Sequence, residues 1–164
     1  SSCGVCGKTS LDSIEVLKTN KIDLSFPKIN YNIISKSPEL LQNNQSEFSK
    51  TGGIHASALI DSKGEVIAIR EDVGRHNALD KLIGHALKNK TIKPENQFIA
   101  CSGRLNFELV QKALMSNIGL MAGVGAPTSL AIDLAKRFNM TLVGFVKQES
   151  FNNYSNKERI IIKS

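Results

Sequence analysis

Tryptophan is absent from this 164-residue chain, aromatic side chains supply only 5% of it, and cysteine occurs three times. Three cysteines cannot all pair within one chain, so a disulfide-stapled secreted domain is not expected and a reducing, cytoplasmic setting fits better. No apolar run approaches the ~20 residues of a membrane-spanning helix, and no secretory leader pattern is present, so no membrane partner is expected. The net charge of +6 favours anions. Yet the lysines and arginines are scattered, without blocks of one sign and without the interleaved aromatics on which single-stranded nucleic acids stack. A nucleic-acid partner is therefore not expected either. There is no internal repeat and no low-complexity tract. What remains is a chain long enough for one core, whose basic surface is either simply solvated or suited to a nucleotide or other phosphate ligand.

Residues 1–36 read as a flexible, polar segment holding two of the cysteines in the stretch SSCGVCGK, with one plausible strand at 13–17. The packed domain is expected over 37–164. Ser37 and Pro38 open a helix over PELLQNNQSEFSK, and the glycines at 52 and 53 stop it. Apolar runs on either side of Asp61-Ser62-Lys63-Gly64 predict a hairpin. Ala78, Leu79, Leu82, Ile83, Ala86 and Leu87 recur at helical spacing. Short apolar strands at 97–102, 119–124 and 140–146 then alternate with helices at 106–117 and 127–139, and a polar tail follows from 151. This order, α-β-β-α-β-α-β-α-β, predicts a three-layer α/β/α domain with a mixed sheet.

In open α/β sheets, ligands bind beyond the carboxyl ends of the strands. Three junctions there share a composition: Arg75-His76-Asn77, Ser102-Gly103-Arg104, and Thr128-Ser129 behind Gly125-Ala126-Pro127. Each offers small or hydroxyl residues ahead of backbone N–H groups at an expected helix start, and two add an arginine, which is a recipe for holding phosphate. Gly, Ser and Thr also begin helices merely as caps, so each junction has a purely structural reading as well.

The same order of elements occurs in zinc nucleoside deaminases, which carry His-x-Glu at the first helix after the hairpin and Pro-Cys-x-x-Cys at the next. Here the positions read His76-Asn77-Ala78 and Cys101-Ser102-Gly103-Arg104. The proton-shuttling glutamate is missing and an arginine stands where the second thiol should be, so zinc-dependent deamination is excluded and no zinc is expected. For Cys3 and Cys6, three readings compete. They form half of a zinc site completed by Cys101, His55 and His76, or a redox disulfide, or a thiol beside Lys8 that carries sulfur as a persulfide.

The stretches SSCGVCGK, TGGIHAS, REDVGRHNALDKLIG, SGRLNFELVQKA, APTSLAIDLA and MTLVGF, in that order, resemble the FdhD family of formate dehydrogenase accessory sulfurtransferases, essentially over the whole chain. The resemblance implies a cytidine deaminase-like fold and a missing N-terminal region. It also implies a sulfurtransferase-type persulfide relay, in which sulfur is taken from a cysteine desulfurase and passed to the molybdenum bis(molybdopterin guanine dinucleotide) cofactor that formate dehydrogenase requires. Cys3 matches the persulfide cysteine and Cys6 its motif partner. Phe151, Asn152, Asn153, Tyr154, Ser155 and Asn156 match a segment tied to cofactor binding. Beside it, His55, Arg75, His76, Ser102, Gly103, Arg104, Thr128 and Ser129 are the expected cofactor contacts, with a guanine nucleotide as a partial mimic. A homodimer is implied too. Many relatives carry serine where this chain has Gly125. The competing function is a chaperone that binds the cofactor for formate dehydrogenase without sulfur chemistry.

Overall fold

The computed structural model describes residues 20–45 and 53–162. The Cys3–Cys6 motif and the strand expected at 13–17 lie outside the described residues.

Strand β1 (Ile29–Asn30) leads into the short helix α1 (Tyr31–Ser35) and then α2 (Ser37–Asn44). Ser37 is not the cap expected of it. Lys36 stays in the right-handed helical region at φ −82° and ψ −6°, so α1 runs almost directly into α2 and Ser37 is its first helical residue. The expected hairpin follows as β2 (His55–Asp61) and β3 (Val66–Asp72). Its turn is held by Asp61, whose Oδ1 accepts the N–H groups of Lys63 and Glu65 at 2.9 Å each, while Gly64 supplies the positive φ of 90°.

Helix α3 (Arg75–Lys88), β4 (Gln97–Cys101), α4 (Phe107–Met115), β5 (Leu120–Gly123), α5 (Ser129–Arg137) and β6 (Thr141–Lys147) then alternate as the periodicity predicts. The last strands, β7 (Ser150–Ser155) and β8 (Ile160–Ile161), were not legible in the polar tail. The six-stranded sheet has the order β3-β2-β4-β5-β6-β7. Its central pairs β4–β5 and β5–β6 are parallel, and the pairs β2–β3, β2–β4 and β6–β7 are antiparallel.

One face of the sheet is covered by α3, α4 and α5, which bury Leu79, Leu82, Val110, Leu114 and Leu134 against Ile99, Met121 and Leu142. The other is covered by α1 and α2 through Ile34 and Leu41, against Ala58, Phe98 and Val143. The architecture is thus the predicted three-layer α/β/α arrangement.

Packing begins before residue 37. Ile22, Ile29 and Ile34 are buried, and β1 pairs in parallel with β8. Arg159, wholly buried, fastens this region. Its Nε donates to the carbonyl of Phe26 and its Nη2 to that of Asp23, both at 2.6 Å. Its Nη1 donates to Asn139 O at 2.6 Å and to Thr141 Oγ1 at 3.3 Å. A Cβ on Gly119 would lie 2.7 Å from Arg159 Nε, so the guanidinium rests on bare backbone there.

Candidate functional site at the carboxyl edge of the sheet

Strands β4, β5 and β6 run in parallel, so their carboxyl ends share one edge of the sheet. Because β2 is antiparallel to both β3 and β4, β3 also ends at this edge and β2 begins there with His55. Four segments from distant parts of the chain therefore converge: His55, the β3–α3 turn, the β4–α4 loop and the β5–α5 loop.

Their contacts are close. A Cβ on Gly103 would sit 3.1 Å from His55 Nδ1 and 3.8 Å from Arg75 Cδ, so His55 and Arg75 lie against the bare Gly103. Arg75 Nε is buried and has no hydrogen-bond partner among the described residues. Burial, reinforced by the charge of Arg75, pulls the His55 pKa below its ordinary value and favours the neutral ring. Ser102 is stitched to the start of β2: its N–H donates to Ala56 O at 3.0 Å and its Oγ accepts from Ala56 N at 2.9 Å. A Cβ on Gly125 would be 2.8 Å from Arg104 N, which seats the β5–α5 loop directly on the Arg104 backbone. The file continues through Gly144, where a Cβ would meet Pro127 Cδ at 2.6 Å and Tyr154 Cε2 at 3.3 Å. Arginines 75 and 104, His55, Gly103 and Tyr154 thus lie along one continuous edge.

Beside this edge, on the α2 face, is a cavity of about 480 Å³ lined by Leu41, Gln45, Ile54, His55, Ser102 and Val124. Gln45, missed in the sequence, is 7% exposed, and its Nε2 has no partner among the described residues. A lone glutamine late in a helix gives no periodic or motif signal.

Several expected contacts change role. Only α3 and α5 begin at their junctions; α4 begins at Phe107, not within Ser102–Arg104, because Asn106 caps it by accepting from Leu109 N. The Thr128 hydroxyl caps α5 by accepting from Ala131 N at 3.3 Å, and the Thr128 N–H donates to Leu105 O at 2.9 Å. Ser129 is exposed in the first turn of α5. His76 turns toward α4, with its Nε2 2.8 Å from Asn106 Nδ2 and 3.2 Å from Glu108 Oε2. Asp72 holds the start of α3, accepting from Gly74 N at 3.0 Å while paired with Lys81. The Lys81 ammonium, then the Gly74 N–H, lower its carboxyl to about 2.

The 151–156 segment divides. Phe151 packs its ring on Tyr31, with centroids 4.5 Å apart. Asn152 and Asn153 are exposed and Tyr154 is half-buried beside Gly144. Ser155 and Asn156 lie at the opposite edge, engaged with main chain: Ser155 Oγ donates to Met140 O at 2.8 Å and Asn156 Nδ2 to the same carbonyl at 2.9 Å. Cys101 is buried, 3.4 Å from Ser57 Oγ, and burial raises its thiol to about 11. It is thus held as a buried, neutral thiol. Among the described residues no three His, Cys, Asp or Glu side chains gather as a metal site, and no helix is long and apolar enough to cross a membrane.

The fold and edge define an α/β domain that gathers His55, Arg75 and Arg104 at the carboxyl ends of its strands. The FdhD/NarQ family profile matches residues 1–161, and the chain belongs to that family. It is 45% identical over 161 residues to the sulfur carrier protein FdhD of Picrophilus torridus, covering 98% of this chain and 61% of that one. The sulfur carrier protein FdhD of Streptomyces avermitilis is 44% identical over 165 residues, covering 100% and 58%. A crystal structure of a protein assigned as a formate dehydrogenase accessory protein, from Desulfotalea psychrophila, superposes with a TM-score of 0.76 at 28% identity, covering 84% of this chain and 61% of that one. The chain thus spans about three fifths of the length of these relatives.

Proposed function

We propose that this chain carries sulfur as a persulfide on Cys3 and delivers it to the molybdenum bis(molybdopterin guanine dinucleotide) cofactor bound as a client at the carboxyl edge, in the maturation of formate dehydrogenase. The observation that carries the reading is the division of labour among the cysteines. All three cysteines fall in the family-matched span, but Cys101 is buried with a raised pKa, which leaves the Cys3–Cys6 pair of SSCGVCGK as the candidate carrier. In the loading step the Cys3 thiolate attacks the sulfane sulfur of a cysteine desulfurase persulfide. The new Cys3 S–S bond forms as the donor S–S bond breaks, and the donor cysteine leaves as thiolate. No external oxidant is needed.

The guanidiniums of Arg75 and Arg104 at this edge support a pyrophosphate client, with Gly103 letting His55 and Arg75 close in on the β4–α4 loop. Asn152 and Tyr154 flank the same edge and extend the contact, while Phe151, Ser155 and Asn156 hold the strand in place.

Mass spectrometry after incubation with a cysteine desulfurase and cysteine tests the reading. A gain of one sulfur atom on Cys3, lost in Cys3→Ser with an unchanged melting temperature, is the expected result. Guanosine diphosphate binding with no sulfur on any cysteine would leave the chaperone function instead.

A further inference from the structure

Phe145 stands out in β6. Its neighbours Gly144 and Val146 are buried, yet Phe145 is 49% exposed. Its φ is 52°, in the left-handed region that an aromatic β-residue rarely adopts. The cause is a β-bulge: the register of β6 with β7 shifts between Gly144 and Lys147. In bulges of this type the left-handed position is ordinarily glycine, and bulges beside functional sites re-aim a side chain. The bulge is fixed to the candidate site, because the Phe145 N–H donates to Gly125 O at 3.2 Å. Gly125 in turn rests on the Arg104 backbone. Val124 and Leu130, 38% and 37% exposed, belong to the same β5–α5 region. Among the described residues the Phe145 ring stacks on no other aromatic ring.

A strained aromatic held out to solvent and tied through Gly125 to the Arg104 loop is a feature that backbone stability does not reward, and such outliers gather at ligand sites. Stacking is the chemistry it offers: an aromatic face receives a planar heterocycle whatever hydrogen-bonding pattern the heterocycle's edge carries. We propose that Phe145 is the stacking platform for a planar heterocycle of the dinucleotide client whose pyrophosphate lies at Arg104. This rests on the proposed cofactor site, and it adds a residue outside both the glycine–arginine junctions and the 151–156 segment.

Calorimetry of the full chain with guanosine diphosphate, adenosine diphosphate and inorganic pyrophosphate tests it. Phe145→Ala should weaken both nucleotides about tenfold, in keeping with ~1.4 kcal/mol for each factor of ten, and leave pyrophosphate unchanged. Phe145→Tyr should restore both nucleotides, and melting temperatures checked in parallel should show each variant folded. Equal nucleotide affinity in wild type and folded Phe145→Ala would overturn the stacking role while sparing the anion site. If the wild-type chain bound neither nucleotide nor pyrophosphate, the cofactor site itself would fall and the platform with it. Should Phe145→Ala fail to fold, Phe145→Tyr and Phe145→Leu decide: both retain bulk, and only the tyrosine should keep nucleotide affinity.

Discussion

Replacing Arg159 by methionine removes a buried guanidinium whose three shortest bonds, all 2.6 Å, end on the main-chain carbonyls of Phe26, Asn139 and Asp23. Charge-assisted hydrogen bonds contribute roughly 1.5–3 kcal/mol each, so the gross loss is about 4.5–9 kcal/mol. Removing the charge also removes its desolvation cost, and methionine keeps an apolar stem of similar length. The carbonyls, however, stay without their donor. Breaking a buried polar set from one side typically costs about 3–5 kcal/mol, and that is the expected net value. For a chain of this size each kcal/mol lowers the melting temperature by about 2–4 °C, so Arg159→Met should melt roughly 10 °C lower. Thermal unfolding followed by far-ultraviolet circular dichroism, with urea titration for the free energy, measures both. A loss below about 1 kcal/mol would refute the account and mean that water satisfies those carbonyls as well as arginine does.

Gly125→Ser places a Cβ 2.8 Å from Arg104 N and should cost about 1–3 kcal/mol unless the Arg104 loop shifts; urea unfolding measures the cost and amide chemical shifts at Gly103 and Arg104 report the shift. Arg104→Ala should weaken guanosine diphosphate about tenfold or more, less so in high salt, as calorimetry at two ionic strengths would show. Asp72, lowered to about 2, favours the folded state above pH ~3.8 and loses that effect as the pH falls toward 2. Lys81→Met should raise its midpoint and move acid unfolding to higher pH, and a carboxyl carbon titration unchanged by the substitution would contradict this.

The alternation of elements from β2 to β6 was legible because each helix buries one apolar stripe and each central strand is buried on both faces. Leu87 sits in the periodic pattern yet is 59% exposed, since the stripe of α3 is narrower than its apolar content. Residues 20–28 are loop as read, but they are packed rather than free, and β1 and α1 at 29–35 were missed: the buried isoleucines are too widely spaced to form a periodic signal, and Arg159, more than a hundred residues away, fastens the segment. β7 was hidden because an edge strand needs only one apolar face, and its asparagines resemble loop. At the site, the glycine and arginine junctions were legible from residue type alone. The start of α4 was read to within one residue, but Ser102–Arg104 lies in the loop ahead of it because Asn106 is the cap. Gln45 gave no signal, and MTLVGF did not single out Phe145, because cavity walls and bulges arise only from tertiary register.

The reversed strand β2 has a consequence for how this family can vary. In a sheet of purely parallel strands, only segments leaving a strand reach the ligand edge, so any change of length there also changes the lead into the next helix. Here the chain arrives at that edge through Gly53 and Ile54 before it enters the sheet at His55. Changes at Gly53 and Ile54 can therefore reshape one wall of the cavity while leaving every strand-to-helix junction, and with it the arginine positions, untouched. The cavity wall and the arginine-bearing junctions are thereby free to change independently, and the entry into β2 at Gly53 and Ile54 is the natural place to alter that wall alone.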